Sequence, residues 1–272
     1  YKTTRYLITD DTFNDNPYKV DMMYEISQEI DFKLEFMCYA RIDILHAKDD
    51  QLKKMIDFGV KGMFFGIETL KESTSKSIGK GFSGNRLKNY LLDIRKQYPD
   101  LHITASFILG LPDESLEEFK NNLQWMVDNN AADSIPIFAL GIPVDNKVNY
   151  ISEFTRNWKA FAYEQMTEED LSEYKNFNFP WMGSVNDYVK HLIPWKNKYM
   201  NVIEANLYRE DILKTIEDST SQVGWWGFAR AFDSTDLRKH LHTTKSNYDF
   251  PAQIKSVEKF ISQYKLKKLN SI

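Results

Sequence analysis

The stretch ITASFILGLPDES, Ile103–Ser115, decides how this chain folds. Ile103 to Leu109 is a short, largely apolar run that only Thr104 and Ser106 interrupt, the composition of a strand covered on both faces. Gly110 and Pro112 punctuate it, and Ser115 with Glu118 forms the signature of a capping box that opens a helix. That helix carries Leu116, Phe119, Leu123, Met126 and Val127 at three- and four-residue steps. Buried strand, tight turn and amphipathic helix together make half of a βαβ unit.

The same grammar repeats on either side. Upstream, Gly62 to Ile67 is a short apolar strand, and Ser83 is the expected cap of a helix through Leu87, Tyr90, Leu91 and Ile94 that stops before Pro99. Leu34 to Ile42 is an earlier strand, followed by a helix from about Asp49, the expected N-cap, to Phe58. Tyr6 to Asp10 is the first strand, and Val20, Met23, Ile26 and Ile30 mark the helix after it. Downstream, Ile135 to Leu140 is the fifth strand. The strand ends recur about every 30 residues, the size of one βαβ unit. Such alternation predicts parallel strands joined by right-handed crossovers. The pattern alone fits both a partial barrel and an open doubly wound sheet.

Past Asn149 the style changes. Trp158, Phe161, Tyr163, Phe177, Phe179, Trp181, Tyr188, Trp195, Tyr199, Trp225, Trp226 and Phe228 crowd a glycine-poor region, read as mostly helical with irregular aromatic loops. A final amphipathic helix is expected through Val257, Phe260, Ile261 and Tyr264, before the basic tail Lys265 to Lys268. The expected division is therefore residues 1–148 and residues 149–272.

Composition narrows the function. The net charge of −4 offers no basic surface for nucleic acid, and no apolar run approaches the roughly 18 residues of a membrane span. Cys38 is the single cysteine, which excludes an internal disulfide and suits a reducing, cytoplasmic setting. One thiolate cannot hold an iron–sulfur cluster. The chain opens at Tyr1 and runs at once into a strand pattern, so an upstream segment is expected. None of the five histidines forms a helix-face metal pair, and His240 and His242 read as surface residues.

Function in parallel α/β folds gathers at the C-terminal ends of strands. Those ends carry Asp10 and Asp11, then Arg41 and Asp43, then Gly66 and Glu68, then Ser106, Ile108 and Gly110, then Gly141 and Pro143. Carboxylates suit an ammonium group or ribose hydroxyls, and an arginine suits a carboxylate. A zwitterionic amino-acid nucleoside would satisfy the set. Each residue has a plainer reading: Asp10 and Asp11 as helix caps, Arg41 as a partner of Asp43 or Glu68, and Pro112 and Glu114 as turn structure.

The ordered series of motifs resembles the radical S-adenosylmethionine (radical SAM) superfamily, in particular its branch with cobalamin-binding members and methylthiotransferases. The motifs that carry the resemblance are Asp10-Asp11-Thr12-Phe13, Arg41-Ile42-Asp43, Gly66-Ile67-Glu68-Thr69, Lys80-Gly81 and Phe107 to Ser115, within residues 1–145. The resemblance implies a partial (β/α)6 TIM-like barrel whose second to sixth strands are the five found here. It implies that Asp10 and Asp11 meet the methionyl amino group of S-adenosylmethionine and that Glu68 meets ribose or the methionyl end. It further implies that Ser106, Ile108 and Gly110 line the adenine, near Gly141 and Pro143, and that Arg41 points to the same mouth. The implied cofactors are S-adenosylmethionine and a [4Fe-4S] cluster, with cobalamin as a candidate third. This sequence lacks the family's three-cysteine loop, so the cluster ligands are expected from an upstream segment or partner chain. The activity implied is cleavage of S-adenosylmethionine to a deoxyadenosyl radical that modifies a substrate. A cluster-less barrel serving as a binding or scaffold subunit is the alternative.

Overall fold

The computed structural model describes residues 5–144, 152–179 and 182–216. Strands β1 (Arg5–Ile8), β2 (Glu35–Ala40), β3 (Val60–Glu68), β4 (His102–Leu109) and β5 (Ile137–Ala139) form one sheet in the order β1-β2-β3-β4-β5. Every neighbouring pair is parallel, and the sheet curls into a half-barrel. The crossovers are helical: α1 (Pro17–Glu29), α2 (Ile42–Ala47) with α3 (Asp49–Asp57), α4 (Glu72–Ser77) with α5 (Gly84–Gln97), and α6 (Leu116–Asp128).

Strand alternation assigns the two faces. Phe36, Cys38 and Ala40 of β2, Met63, Phe65 and Ile67 of β3, and Ile103, Ala105, Phe107 and Leu109 of β4 are all buried. They face the helical layer: Phe36 meets Phe58 edge-on at 5.7 Å and Phe107 meets Phe119 at 6.3 Å. The alternate set, Met37 and Tyr39, Gly62, Phe64 and Gly66, and Thr104, Ser106 and Ile108, lies on the concave side in register across the strands. Burying the helix-side aromatic and aliphatic residues contributes ~1.5–3 kcal/mol each and holds the concave face in place.

The predicted elements beside the decisive stretch form as expected. The capping box at Ser115 is complete: Glu118 N–H donates to the Ser115 hydroxyl at 3.2 Å, and Ser115 N–H donates to the Glu118 carboxylate at 2.9 Å. Two details differ. Lys48, not Asp49, occupies the N-cap of α3, because the Lys48 N–H closes the preceding α2 on the Leu45 carbonyl and the chain turns directly from one helix into the next. Ser83 does hold the N-cap position of α5, but its buried hydroxyl makes no capping bond.

The later region combines short helices α7 (Glu153–Arg156), α8 (Glu168–Ser172) and α9 (Val185–Tyr188) with the longer α10 (Val202–Ile216). Two small antiparallel pairs join them, β6 (Glu164–Gln165) with β9 (Trp195–Lys196) and β7 (Asn178–Phe179) with β8 (Gly183–Ser184). This region packs on the ends of β4 and β5. Tyr163 donates its hydroxyl to the Gly110 carbonyl at 2.5 Å, and Trp195 donates its indole N–H to the Leu140 carbonyl at 2.9 Å. Arg209 of α10 donates to the Ile137 carbonyl at 2.7 Å and caps the outer edge of β5. Trp181, Trp225, Trp226, Phe228, His240, His242, the expected final helix and the basic tail lie outside the described residues, as does the expected boundary near residue 148. Among the described residues, no helix is long and apolar enough to cross a membrane.

Candidate ligand site at the mouth of the half-barrel

The C-terminal ends of β1 to β4 open on one cavity of about 440 Å³. Asp11, Arg41, Asp43, Glu68 and Lys80 supply its charges, Ser106 its buried hydroxyl, and Tyr39, Phe64 and Phe82 its rings. The volume lies within the range of small-molecule sites.

Each charged group is placed by local structure. β3 ends in a register shift between Gly66 and Glu68, and Glu68 takes a left-handed backbone, φ 66°. That twist folds the Glu68 carboxylate back over Gly66, where a Cβ would lie 2.5 Å from its Oε1. Gly66 is the one residue that leaves the carboxylate its place. Lys80 arrives from the turn after α4, donating to the Gly66 carbonyl and, at 3.0 Å, to the Glu68 carboxylate. Arg41 grips Asp43 with two parallel bonds, Nε to Oδ1 at 3.0 Å and Nη2 to Oδ2 at 2.5 Å. Burial pushes the Asp43 carboxyl upward, but the Arg41 guanidinium outweighs it and holds the group below the ordinary carboxylate range. The plainer expectation for Arg41, a bond to Asp43, is therefore what the structure contains, and Arg41 still lines the cavity.

The predicted residues separate into two groups. Asp11, Arg41, Glu68 and Ser106 share the cavity wall. Asp10, Ile108 and Gly110 are not on it. Asp10 accepts from the Thr12 N–H at 3.0 Å and from Lys19 at 2.6 Å, and the Lys19 ammonium holds its carboxyl below the usual value. It closes the turn after β1. Ile108 faces the concave side one strand repeat beyond Ser106 and pairs with Phe138 of β5. Gly110, at φ 97°, lies beneath Trp195, where a Cβ would stand 2.4 Å from the indole Cη2.

Four contributors escaped the sequence reading, Phe82 after Lys80 among them. Tyr39 and Phe64 pack their rings at 5.0 Å on the cavity wall, each two residues before a strand-end residue already singled out. Period-two counting from Arg41 and Gly66 would have found them. Asn14, fully buried, clamps the loop after β1 to the end of β2: its Oδ1 accepts from the Arg41 N–H at 2.7 Å and its Nδ2 donates to the Arg41 carbonyl at 3.0 Å. No sequence pattern signals that clamp.

Thr69, next to Glu68, donates to Glu114 at 2.8 Å, and Asn122 of α6 donates to the same carboxylate oxygen at 3.1 Å. Glu114 is buried, and burial pushes its carboxyl up to about 7 despite both donors. The pair ties the end of β3 to the loop after β4. Both of these residues come from motifs read in the sequence, and their link fixes the relative position of the two strand ends.

Fit to the implied cofactors differs. The mixed carboxylate and cation wall beside aromatic rings suits an amino-acid nucleoside, and Ser106, whose hydroxyl has only a 3.5 Å contact to the Phe65 carbonyl, retains hydrogen-bonding capacity. An iron–sulfur cluster does not fit. Cys38 is buried in the helical layer, away from the concave face, and burial pushes its thiol up to about 12. Among the described residues no group of three His, Cys, Asp or Glu side chains stands together to hold a metal ion.

No protein-family model matches the sequence, and no curated protein matches it. Solved structures do resemble the fold. The Elp3 protein of the archaeon Methanocaldococcus infernus aligns over 57% of this chain and 40% of its own at 15% identity, TM-score 0.44. The radical S-adenosylmethionine methyltransferase TsrM from Kitasatospora setae, with cobalamin and a [4Fe-4S] cluster bound, aligns over 52% and 26% at 13% identity, TM-score 0.43. The coproporphyrinogen III oxidase HemN from Escherichia coli, a radical SAM enzyme, aligns over 75% and 37% at 12% identity, TM-score 0.43. The aligned part of each of these chains is thus between about a quarter and two fifths of its length. The solved structures to which this chain is similar include radical SAM enzymes.

Proposed function

We propose that this chain is the part of a radical SAM enzyme that binds and orients S-adenosylmethionine. One observation carries the reading: motifs from three separate strand ends, which in their order resemble that superfamily, border a single cavity together with Lys80 and with Ser106 of β4. In this reading Asp11 and Glu68 take the methionyl ammonium and ribose hydroxyls, Arg41 takes the methionyl carboxylate, and Ser106 with Tyr39 and Phe64 takes the adenine. Lys80 positions Glu68, and Asp10 holds the loop that presents Asp11. The lone, buried Cys38 leaves the cluster to ligands outside this sequence, so the role proposed for these residues is to bind and orient. Substrate modification by the whole protein, and any use of cobalamin, belong to the same proposal at the level of that whole protein.

Titration calorimetry tests it. S-adenosylmethionine should bind the chain saturably, and adenosine or methionine alone should bind far more weakly. Glu68→Gln and Asp11→Asn should each weaken binding about tenfold, the value of one charge-assisted contact of ~1.4 kcal/mol. Asp10→Asn should change it by no more than about twofold, since exposed ion pairs are worth ~0–1 kcal/mol. No saturable binding, or equal losses in all three variants, would sink the assignment.

A further inference from the structure

A second cavity of about 170 Å³ lies on the other side of β4, between the end of β5, the β7–α9 segment and α10. Phe138, Leu140, Leu192 and the Phe179–Tyr188 pair, stacked at 3.9 Å, make it apolar. Among the described residues no carboxylate lines it, and Arg209 is its one charge. The Arg209 Nε is spent on the Ile137 carbonyl, while its two terminal nitrogens have no hydrogen-bond partner among the described residues. Tyr188 is 3% exposed, and its hydroxyl is buried without a partner. An orphaned buried hydroxyl costs ~1–3 kcal/mol, which an acceptor brought by a ligand would recover. Asn206, also buried, adds an amide whose Nδ2 is held by the Val202 carbonyl at 2.8 Å.

We infer that this cavity is a binding site for a single-ring aromatic carboxylate. The ring would enter the slot of Phe138, Leu192, Phe179 and Tyr188, and the carboxylate would meet Arg209 and the Tyr188 hydroxyl. A cavity of ~150 Å³ is enough to take benzene, so one ring with a short acid arm is the size admitted. The charge selects its sign: an ammonium would face a guanidinium with no acid to offset it. Register places the site beside the first cavity. Ser106 lines the first, Ile108 follows two residues later on the same face, and Ile108 pairs with Phe138, which lines the second. Ser106 and Phe138, one on each wall, thus stand one strand apart, ~5 Å from β4 to β5, and one side-chain repeat along the sheet. That the second ligand is the substrate of the first rests on the function proposed above; its binding does not.

The probes are phenylacetate, phenylethanol and phenethylamine, which share a ring and differ in charge, titrated into the full chain by ligand-observed NMR. Phenylacetate should bind, phenylethanol should bind at least about fivefold more weakly, and phenethylamine should not bind. Tyr188→Phe, which keeps the ring stack, should weaken phenylacetate about fivefold, and Arg209→Gln more than about tenfold. Glu68→Gln should leave phenylacetate affinity unchanged. Equal binding of the three probes by the unaltered chain, or no binding of any, overturns the inference without need of a variant. Phenylacetate binding that both variants leave intact overturns it as well. If phenylacetate binds as expected while S-adenosylmethionine does not, this site stands and the function proposed above falls; the opposite pattern removes this site alone.

Discussion

At the scale of single residues, two glycines show how the same residue type serves different ends. Gly66 clears space for the Glu68 carboxylate at the cavity wall, and Gly110 clears space for the indole of Trp195 outside it. In the sequence both look alike, glycines at strand ends, and both were read as part of one mouth. The distinction rests on Trp195, which lies far along the chain in a region without a legible period, so the packing partner could not be inferred from Gly110 itself. The consequence is testable. Gly110→Ala adds a Cβ at φ 97° against the ring, combining backbone strain with overpacking, and should destabilise the fold by ~2–4 kcal/mol in urea unfolding. Adding Trp195→Phe, which removes the atoms that meet the new Cβ, should make the loss in the double variant smaller than the sum of the two single losses. A Gly110→Ala change costing less than ~0.5 kcal/mol would contradict the packing role, since that is the size of a neutral surface change. The charged residues teach a related lesson. Arg41 and its partner Asp43 were legible, Asp43 as one of two candidates, whereas the Lys80 partner of Glu68 was settled by loop geometry that no period encodes.

At the scale of elements, the strands were readable as short apolar runs bounded by turn residues, and the long helices because each repeats a period near three and a half. Helices α2 and α4 were not, since six residues span fewer than two turns and leave no periodic stripe. What joins the elements is polar. Glu114 between Thr69 and Asn122 couples the end of β3 to α6. Its carboxyl is raised by burial to about 7 from an ordinary 4.5, so the folded state holds the proton more tightly than the unfolded one. The stability this confers is fully present below about pH 4.5 and is lost as pH rises through about 7. Thermal unfolding should therefore show the unaltered chain losing ~2–3 kcal/mol between about pH 5 and pH 8, less whatever other groups contribute. Glu114→Gln, which keeps an acceptor for Thr69 but cannot ionise, should lose that component of the pH dependence. Parallel pH profiles for the two proteins would contradict a raised Glu114.

At the scale of the whole molecule, the half-barrel forms its cavities by exposing a concave face between two edges. The outer edge of β5 is covered by α10 and the Arg209 bond to Ile137. The β1 side instead presents Tyr6 and Leu7, and α1 presents Tyr18, Met22 and Ile26 at four-residue steps, all exposed. Parallel topology sends every strand's C-terminal end to one rim, so side chains from four strands border one cavity although they are dispersed through the sequence. That convergence was legible in outline, because strand ends can be located where the short apolar runs stop. Which of the rim residues share a wall was not, because Asp10 and Asp11 are adjacent in sequence and diverge in space, one to Lys19 and one to the cavity.

The central claim, that this cavity holds S-adenosylmethionine, is tested most directly by location. An azidoadenosine analogue of S-adenosylmethionine would be photolysed on the chain, with excess unlabelled S-adenosylmethionine as competitor, and the labelled peptide mapped by mass spectrometry. The account predicts competed labelling at Tyr39, Phe64 or Phe82, on the wall of the first cavity. Labelling that the competitor does not suppress, or that falls only on residues outside that wall, would contradict it.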